Sequence, residues 1–365
     1  MAMEKTTGLS RDFIIHPGET LQEFIEDRNM SQKELAIRCG VSEKHVSTVL
    51  NGKKDISPSF AKKLEYALGI DAIFWMNLQA NYDKDIIKYE ELHEITDEEI
   101  SVLKELKEIL ITYKEEKFIS DNLTKIDEVM ELRRIFKISN LLNIPKLQHM
   151  GAYRLKNEKV IVNPYVMFAW EKYCELIDKN ENENELNIEK LRGSIPLIKS
   201  IMFHEPQNII SEITKVLKEC GIRFHLVKFY KGAPVQGYIK HNESNGISLF
   251  ITIRGSFADI FWFTLFHEIS HILNGDAKNS FIDYDDMQAS IEDKANETAA
   301  EILISKRSFE AFVERGDFSI EAIKKLAKDN DVQVFVCLGR LMKNEIIKWD
   351  EYRDYRPRYQ LSYSE

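Results

Sequence analysis

His267-Glu268-Ile269-Ser270-His271 sets two imidazoles four residues apart, with a carboxylate directly after the first. On a helix, such positions lie one turn above each other on one face, so both rings can reach a single divalent ion. Glu268 points partly towards the same cleft and can take a proton from water there. The chemistry implied is peptide hydrolysis assisted by zinc (Zn2+). A blander origin is a helix that packs Phe261, Leu265, Ile269, Ile272 and Leu273 while two histidines face solvent. The run 261–274 is too apolar for a solvated face and suits a ligand helix on the floor of a cleft.

Catalytic zinc usually takes three protein ligands and keeps one position for water. In residues 291–304, Ala295, Ala299, Ile302 and Leu303 recur at helical spacing and predict a second buried helix. Glu292 shares a face with Ala295, Asn296 and Ala299, where a carboxylate is costly unless paired or metal-bound. Glu292 is therefore the preferred third ligand, and Asn296, one turn on, could support a ligand histidine by a hydrogen bond. Asp293 and the run Asp283-Tyr284-Asp285-Asp286 are rivals, although that run reads as a solvated loop. Manganese or iron would also suit two imidazoles and a carboxylate.

The string F-W-F-T-L-F-H-E-I-S-H-I-L, followed by E-D-K-A-N-E-T-A-A-E-I-L-I, resembles the ImmA/IrrE-type metallopeptidases. Their pattern is roughly F-T-L-x-H-E-x-x-H, then E-x-x-A-N-x-x-A. The resemblance implies that His267, His271 and Glu292 bind zinc and that Glu268 is the general base. Thr298 stands where an aromatic is common and Ser305 where a proline usually ends the run. Both departures bear on packing and neither touches a ligand.

Several elements must position this site. Ile222 to Val227 alternates as a strand should, as do Gly237-Tyr238-Ile239 and the stretch 247–252. A small sheet just before the histidine helix suits a zincin-like domain, whose edge strand can hold an extended peptide. His225, Tyr238 and His241 are candidates for stabilising an oxyanion, each with cross-strand packing as the plainer role. Residues 149–220 read as helical, broken by a polar loop at 178–185. Helices are expected from Ser319 and over 332–342, the latter resembling the helix that closes these peptidase domains. The basic, aromatic stretch 352–359 is expected to dock on the domain.

Residues 13–82 read as a bundle of short helices. Pro17 opens the first, Ser31-Gln32-Lys33-Glu34 has the capping-box form, and Ser42 caps a third helix after the turn at Gly40. Two short helices across such a turn form a helix-turn-helix, whose second helix enters the major groove. His16-Pro17-Gly18-Glu19-x-Leu21, Leu50-Asn51-Gly52 and the stretch 74–82 are similar to HigA-type antitoxins of the XRE repressor group. That similarity implies a homodimer on operator DNA and, in many relatives, neutralisation of a toxin encoded alongside. Glu43, Lys44, Ser47 and Thr48 would then face base edges, with Gln32, Asn51, Lys53 and Lys54 near phosphates.

The organisation expected is mainly α with a small β-sheet (α+β). Residues 1–82 form the helix-turn-helix domain, 83–148 a charged helical linker and 149–365 the metallopeptidase domain. A formal charge of -10 excludes a surface that coats nucleic acid generally, so DNA contact is local. No apolar run approaches the roughly 18 residues of a membrane span, and the four scattered cysteines read as buried cytoplasmic thiols. The function expected is an operator-binding regulator fused to a zinc endopeptidase acting on a repressor, a partner or itself. The alternative is an antitoxin-like repressor whose metal site is structural or silent.

Overall fold

The computed structural model describes residues 10–147, 153–155, 162–178, 184–241, 245–253, 257–276 and 287–359, with backbone alone at 153–155, 253 and 287–289. The acidic run 283–286 and most of the 178–185 loop lie outside the described residues. The chain divides into two compact units, the first running to Ile100 and including Thr124–Val129, the second taking Ser101–Leu123 and continuing from Met130.

The first unit contains α1 (Pro17–Asp27), α2 (Gln32–Cys39), α3 (Glu43–Leu50), α4 (Pro58–Leu68) and α5 (Ala72–Glu94). Ser31 and Ser42 act as the caps expected, and Ser57 caps α4: the three hydroxyls accept from the backbone N–H of Glu34, His45 and Phe60. Gly40 ends α2 at φ +60°, a left-handed conformation that suits glycine. Leu21, Ile25, Leu35, Val46, Val49, Leu64 and Trp75 form the core. His16 caps α1 by accepting from Gly18 N–H at 2.9 Å. A Cβ on Gly18 would lie 2.1 Å from the Val49 carbonyl oxygen, so only glycine lets α1 approach the end of α3 this closely. α5 continues unbroken past residue 82, the boundary expected from composition.

The stretch 83–148, expected as one linker, is shared between the units. It carries the rest of α5, then α6 (Asp97–Glu105), α7 (Lys107–Glu115) and α8 (Lys125–Phe136). Its apolar stripe is not left for solvent: Leu106, Ile109 and Tyr113 are buried. In the second unit Tyr113 donates to the Ala169 carbonyl at 2.9 Å, and Tyr230 donates to the Thr112 hydroxyl at 2.6 Å.

The second unit then runs β1 (Tyr153–Leu155), α9 (Pro164–Ile177), α10 (Ile188–Ser200), α11 (Pro206–Glu219), β2 (Ile222–Lys228), β3 (Val235–His241) and β4 (Ile247–Ile253). It continues as α12 (Ala258–Asn274), α13 (Met287–Leu303), α14 (Lys306–Arg315), α15 (Ile320–Asp329) and α16 (Val334–Lys343). The sheet order is β1-β3-β4-β2, with β2 parallel to β4 and the other pairs antiparallel. Phe224, Ile239, Leu249 and Ile251 turn one face of the sheet into a core shared with Phe261, Leu265 and Ile269 of α12. The opposite face meets α9, where Trp170 packs 5.8 Å from Tyr238. No helix among the described residues is long and apolar enough to cross a membrane.

Candidate metal centre

α12 is buried almost throughout, which the apolar run 261–274 requires. Its first turn lacks a side-chain cap and is completed by the tail. Ala258 N–H donates to the Pro357 carbonyl at 3.0 Å, Arg356 pairs with buried Asp259 at 2.8 Å, and Trp262 donates to the Tyr359 hydroxyl. The tail thus docks on the domain, as the sequence led one to expect. Gly339 of α16 lets that helix press on Asp259, since a Cβ there would lie 2.7 Å from its Oδ2.

α13 is fixed from its carbonyl end. Lys199 donates to the carbonyls of Ile302 and Leu303 at 3.1 and 3.4 Å, and Arg340 to those of Ala300 and Ile304. Cations suit the exposed carbonyls and negative dipole of a helix C-terminus. Burial lowers the pKa of both, partly offset by Asp331 for Lys199 and by Glu301 for Arg340.

With α12 and α13 so held, three side chains converge. His267 Nε2 lies 3.2 Å from His271 Nε2 and 3.3 Å from Glu292 Oε2, while His271 Nε2 lies 3.7 Å from Glu292 Oε1. Tetrahedral zinc with bonds of about 2.0–2.1 Å sets its ligand atoms roughly 3.3–3.4 Å apart, so the donor set fits the ion. His271 is fully buried, His267 nearly so and Glu292 half-buried. Glu268 is buried beside the triad, its carboxylate against Gly237 of β3, where a Cβ would fall 2.2 Å from Oε1. A cleft of about 780 Å³ opens over these groups, walled also by Phe263, Arg340 and Trp349.

The remaining expectations fare differently. Asn296 lines the cleft, but among the described residues no hydrogen bond joins it to either histidine. A carboxylate that does stand beside one of these rings is Asp276, whose Oδ2 lies 3.4 Å from His271 Nδ1. Asp293 is exposed and outside the ligand group. The three oxyanion candidates do not line the cleft. Tyr238 is on the sheet face away from α12, its hydroxyl pKa raised by burial. His225 stacks on Phe250 at 4.9 Å and binds Asp178 at 3.2 Å. Burial would raise the Asp178 pKa, but bonds from His225 and Ser248 and the charge of Arg223 outweigh it and hold the carboxyl low. His241 ends β3, opposite Ile247. Nor is β3 a free edge: β1 pairs along it, Tyr153 opposite Tyr238 and Leu155 opposite Val235.

In the first unit Glu43, Lys44, Asn51, Lys53 and Lys54 are exposed, and Gln32, Ser47 and Thr48 are half-buried. Some of their hydrogen-bonding capacity is already used. Thr48 donates to the His45 carbonyl at 2.8 Å, Asn51 to that of Ser47 at 2.7 Å, and the Lys54 ammonium lies 3.1 Å from His45 Nδ1. Glu43 and Lys44 occupy the first turn of α3.

Comparison with known proteins agrees with both halves. Residues 21–75 match the helix-turn-helix family and residues 259–342 the IrrE N-terminal-like domain. An uncharacterized HTH-type transcriptional regulator of Escherichia coli, YddM, is 33% identical over 63 residues, 17% of this chain and 67% of that protein. Virulence-associated protein I of Dichelobacter nodosus is 33% identical over 70 residues, 19% of this chain and 65% of that protein. The chain thus spans about two thirds of the length of these curated relatives. Among solved structures, an addiction module antidote protein of a HigA family from Coxiella burnetii is 32% identical, covering 22% of this chain and 95% of that one, TM-score 0.21. Pseudomonas aeruginosa antitoxin HigA with the higBA promoter is 33% identical, covering 23% and 96%, TM-score 0.21. The chain thus carries a helix-turn-helix domain in its N-terminal part and an IrrE N-terminal-like domain in its C-terminal part.

Proposed function

We propose that this protein is a cytoplasmic regulator that binds operator DNA as a homodimer through α3 and carries a zinc-dependent endopeptidase in its second unit. Its substrate would be a regulatory protein: a repressor, a partner or the chain itself. The observation that carries this reading is the convergence of His267, His271 and Glu292 beside buried Glu268, under an open cleft. Zinc held there would supply Lewis acidity, able to polarise a peptide carbonyl and to bring the pKa of a water near 7. The protein's own groups do the rest. His267, His271 and Glu292 would hold the ion, His267 and Glu292 also lining the cleft. Glu268 accepts the proton of the attacking water and passes it to the departing amine. Because β1 lies along β3, a peptide seeking that strand must displace β1 or lie elsewhere in the cleft.

The test is incubation of the full chain, with its zinc content measured, against proteins encoded beside it, with fragments read by mass spectrometry. Glu268→Gln should keep the metal and lower cleavage by about 10²–10⁴-fold. Unchanged cleavage would remove Glu268 as the base. Bound zinc with no cleavage by the unmodified chain would favour the antitoxin-like repressor, with a toxin as partner and a silent metal site.

A further inference from the structure

We infer that Asp276 is the positioning residue of the metal centre, holding the N–H of His271 Nδ1 and so fixing the tautomer that turns Nε2 towards the ion. This inference rests on the metal reading above. The His271 ring is fully buried, and its two nitrogens face different partners. Nε2 looks towards His267 and Glu292, and Nδ1 towards Asp276. A neutral imidazole carries one N–H. If Nε2 is the ligand atom, the proton is on Nδ1 and needs an acceptor inside the protein.

The chain supplies one by a short reversal. Gly275 ends α12 at φ +80°, and the next residue returns its carboxylate to the last turn, five positions after His271. The Asp276 side chain is only 15% exposed, so solvent competes weakly for it. The present 3.4 Å is a few tenths longer than a good N–H···O bond, and such bonds tighten when a site is filled. The Nδ1 atoms of both histidines and Asp276 Oδ2 are all buried with no hydrogen bond formed, and the Asp276 carboxylate stands 3.4 Å from the Nδ1 of His271. Metal-ligating histidines commonly donate their second N–H to a carboxylate, and losing that partner weakens metal binding about 10–100-fold.

The experiment measures zinc affinity of the full chain by competition with a chromophoric chelator, beside thermal unfolding without zinc. Asp276→Ala should bind zinc about 10–100-fold more weakly, with the zinc-free unfolding midpoint unchanged. Asp276→Asn keeps the shape and a weaker acceptor, and should lose less affinity than the alanine variant; it serves as the test if that variant fails to fold. Zinc affinity equal to the unmodified chain in either folded variant overturns the role of Asp276. A chain that binds no zinc, or binds it equally well as His267→Ala, instead overturns the metal reading itself.

Discussion

Glu268 owes its place to the side chain that Gly237 lacks. Its Cγ, Cδ and Oε1 all fall within 2.6 Å of where a Cβ on β3 would stand, so strand and carboxylate fit only while that position is glycine. Gly237→Ala must push either β3 or Glu268 aside. Since misplacing a reacting group by about 1 Å can cost around 10²-fold, cleavage should fall by that order while zinc stays bound. Kinetics with metal analysis would check both; retained cleavage would show that Glu268 tolerates displacement. The convergence of His267, His271 and Glu292 was legible because a helix fixes the spacing of the two histidines and a carboxylate on an apolar face needs a partner. Asp276 was not legible, since only the reversal at Gly275 brings it back to His271. Tyr238 and His225 misled because strand alternation tells that faces differ, without telling which one meets α12.

At the scale of elements, the helix bearing Glu292 is held from its far end. Removing the guanidinium in Arg340→Ala takes the side-chain donor from the Ile304 carbonyl, while that of Ala300 keeps the Ile304 N–H. The expected cost is about 1–3 kcal/mol, read as a lower unfolding midpoint of the second unit together with weaker zinc binding. A midpoint shift with unchanged zinc affinity would separate stability from site geometry. In the other unit, Gly18→Ala would drive a methyl into the Val49 carbonyl at the end of α3. Destabilisation of about 1–3 kcal/mol and weaker operator binding should follow, measured by denaturation and by DNA titration. Helix starts at Ser31, Ser42 and Ser57 could be read locally because a cap is a local event. Lys199 could not be assigned, because it meets α13 from 103 residues away and its run of sequence gives no sign of that partner. The pairing of β1 with β3 is hidden for the same reason: three residues carry too little alternation to announce a strand.

At the scale of the molecule, the two units match separate families and respond to different variables. His16, buried under α1, has its pKa lowered below the ordinary 6.5 by desolvation, against the opposing pull of Asp55, Glu19 and Asp83. The unfolded chain takes a proton near 6.5 while the folded unit resists it. Stability from this group is therefore present above that value and lost as pH falls through the folded pKa. Calorimetry over roughly pH 7.5 to 5.5 should show the first unit's transition moving down, with a smaller shift in His16→Asn, which keeps a capping oxygen. An equal shift in that variant would assign the effect to other groups. The tail that clamps α12 has a consequence for synthesis. Arg356 follows Asp259 by 97 residues. At about 5–20 residues per second, translation separates the two by on the order of ten seconds. On a ribosome, the helix-turn-helix unit is complete while the histidine helix still lacks the partners of its opening turn, so the proposed metal centre is assembled later than the unit ahead of it.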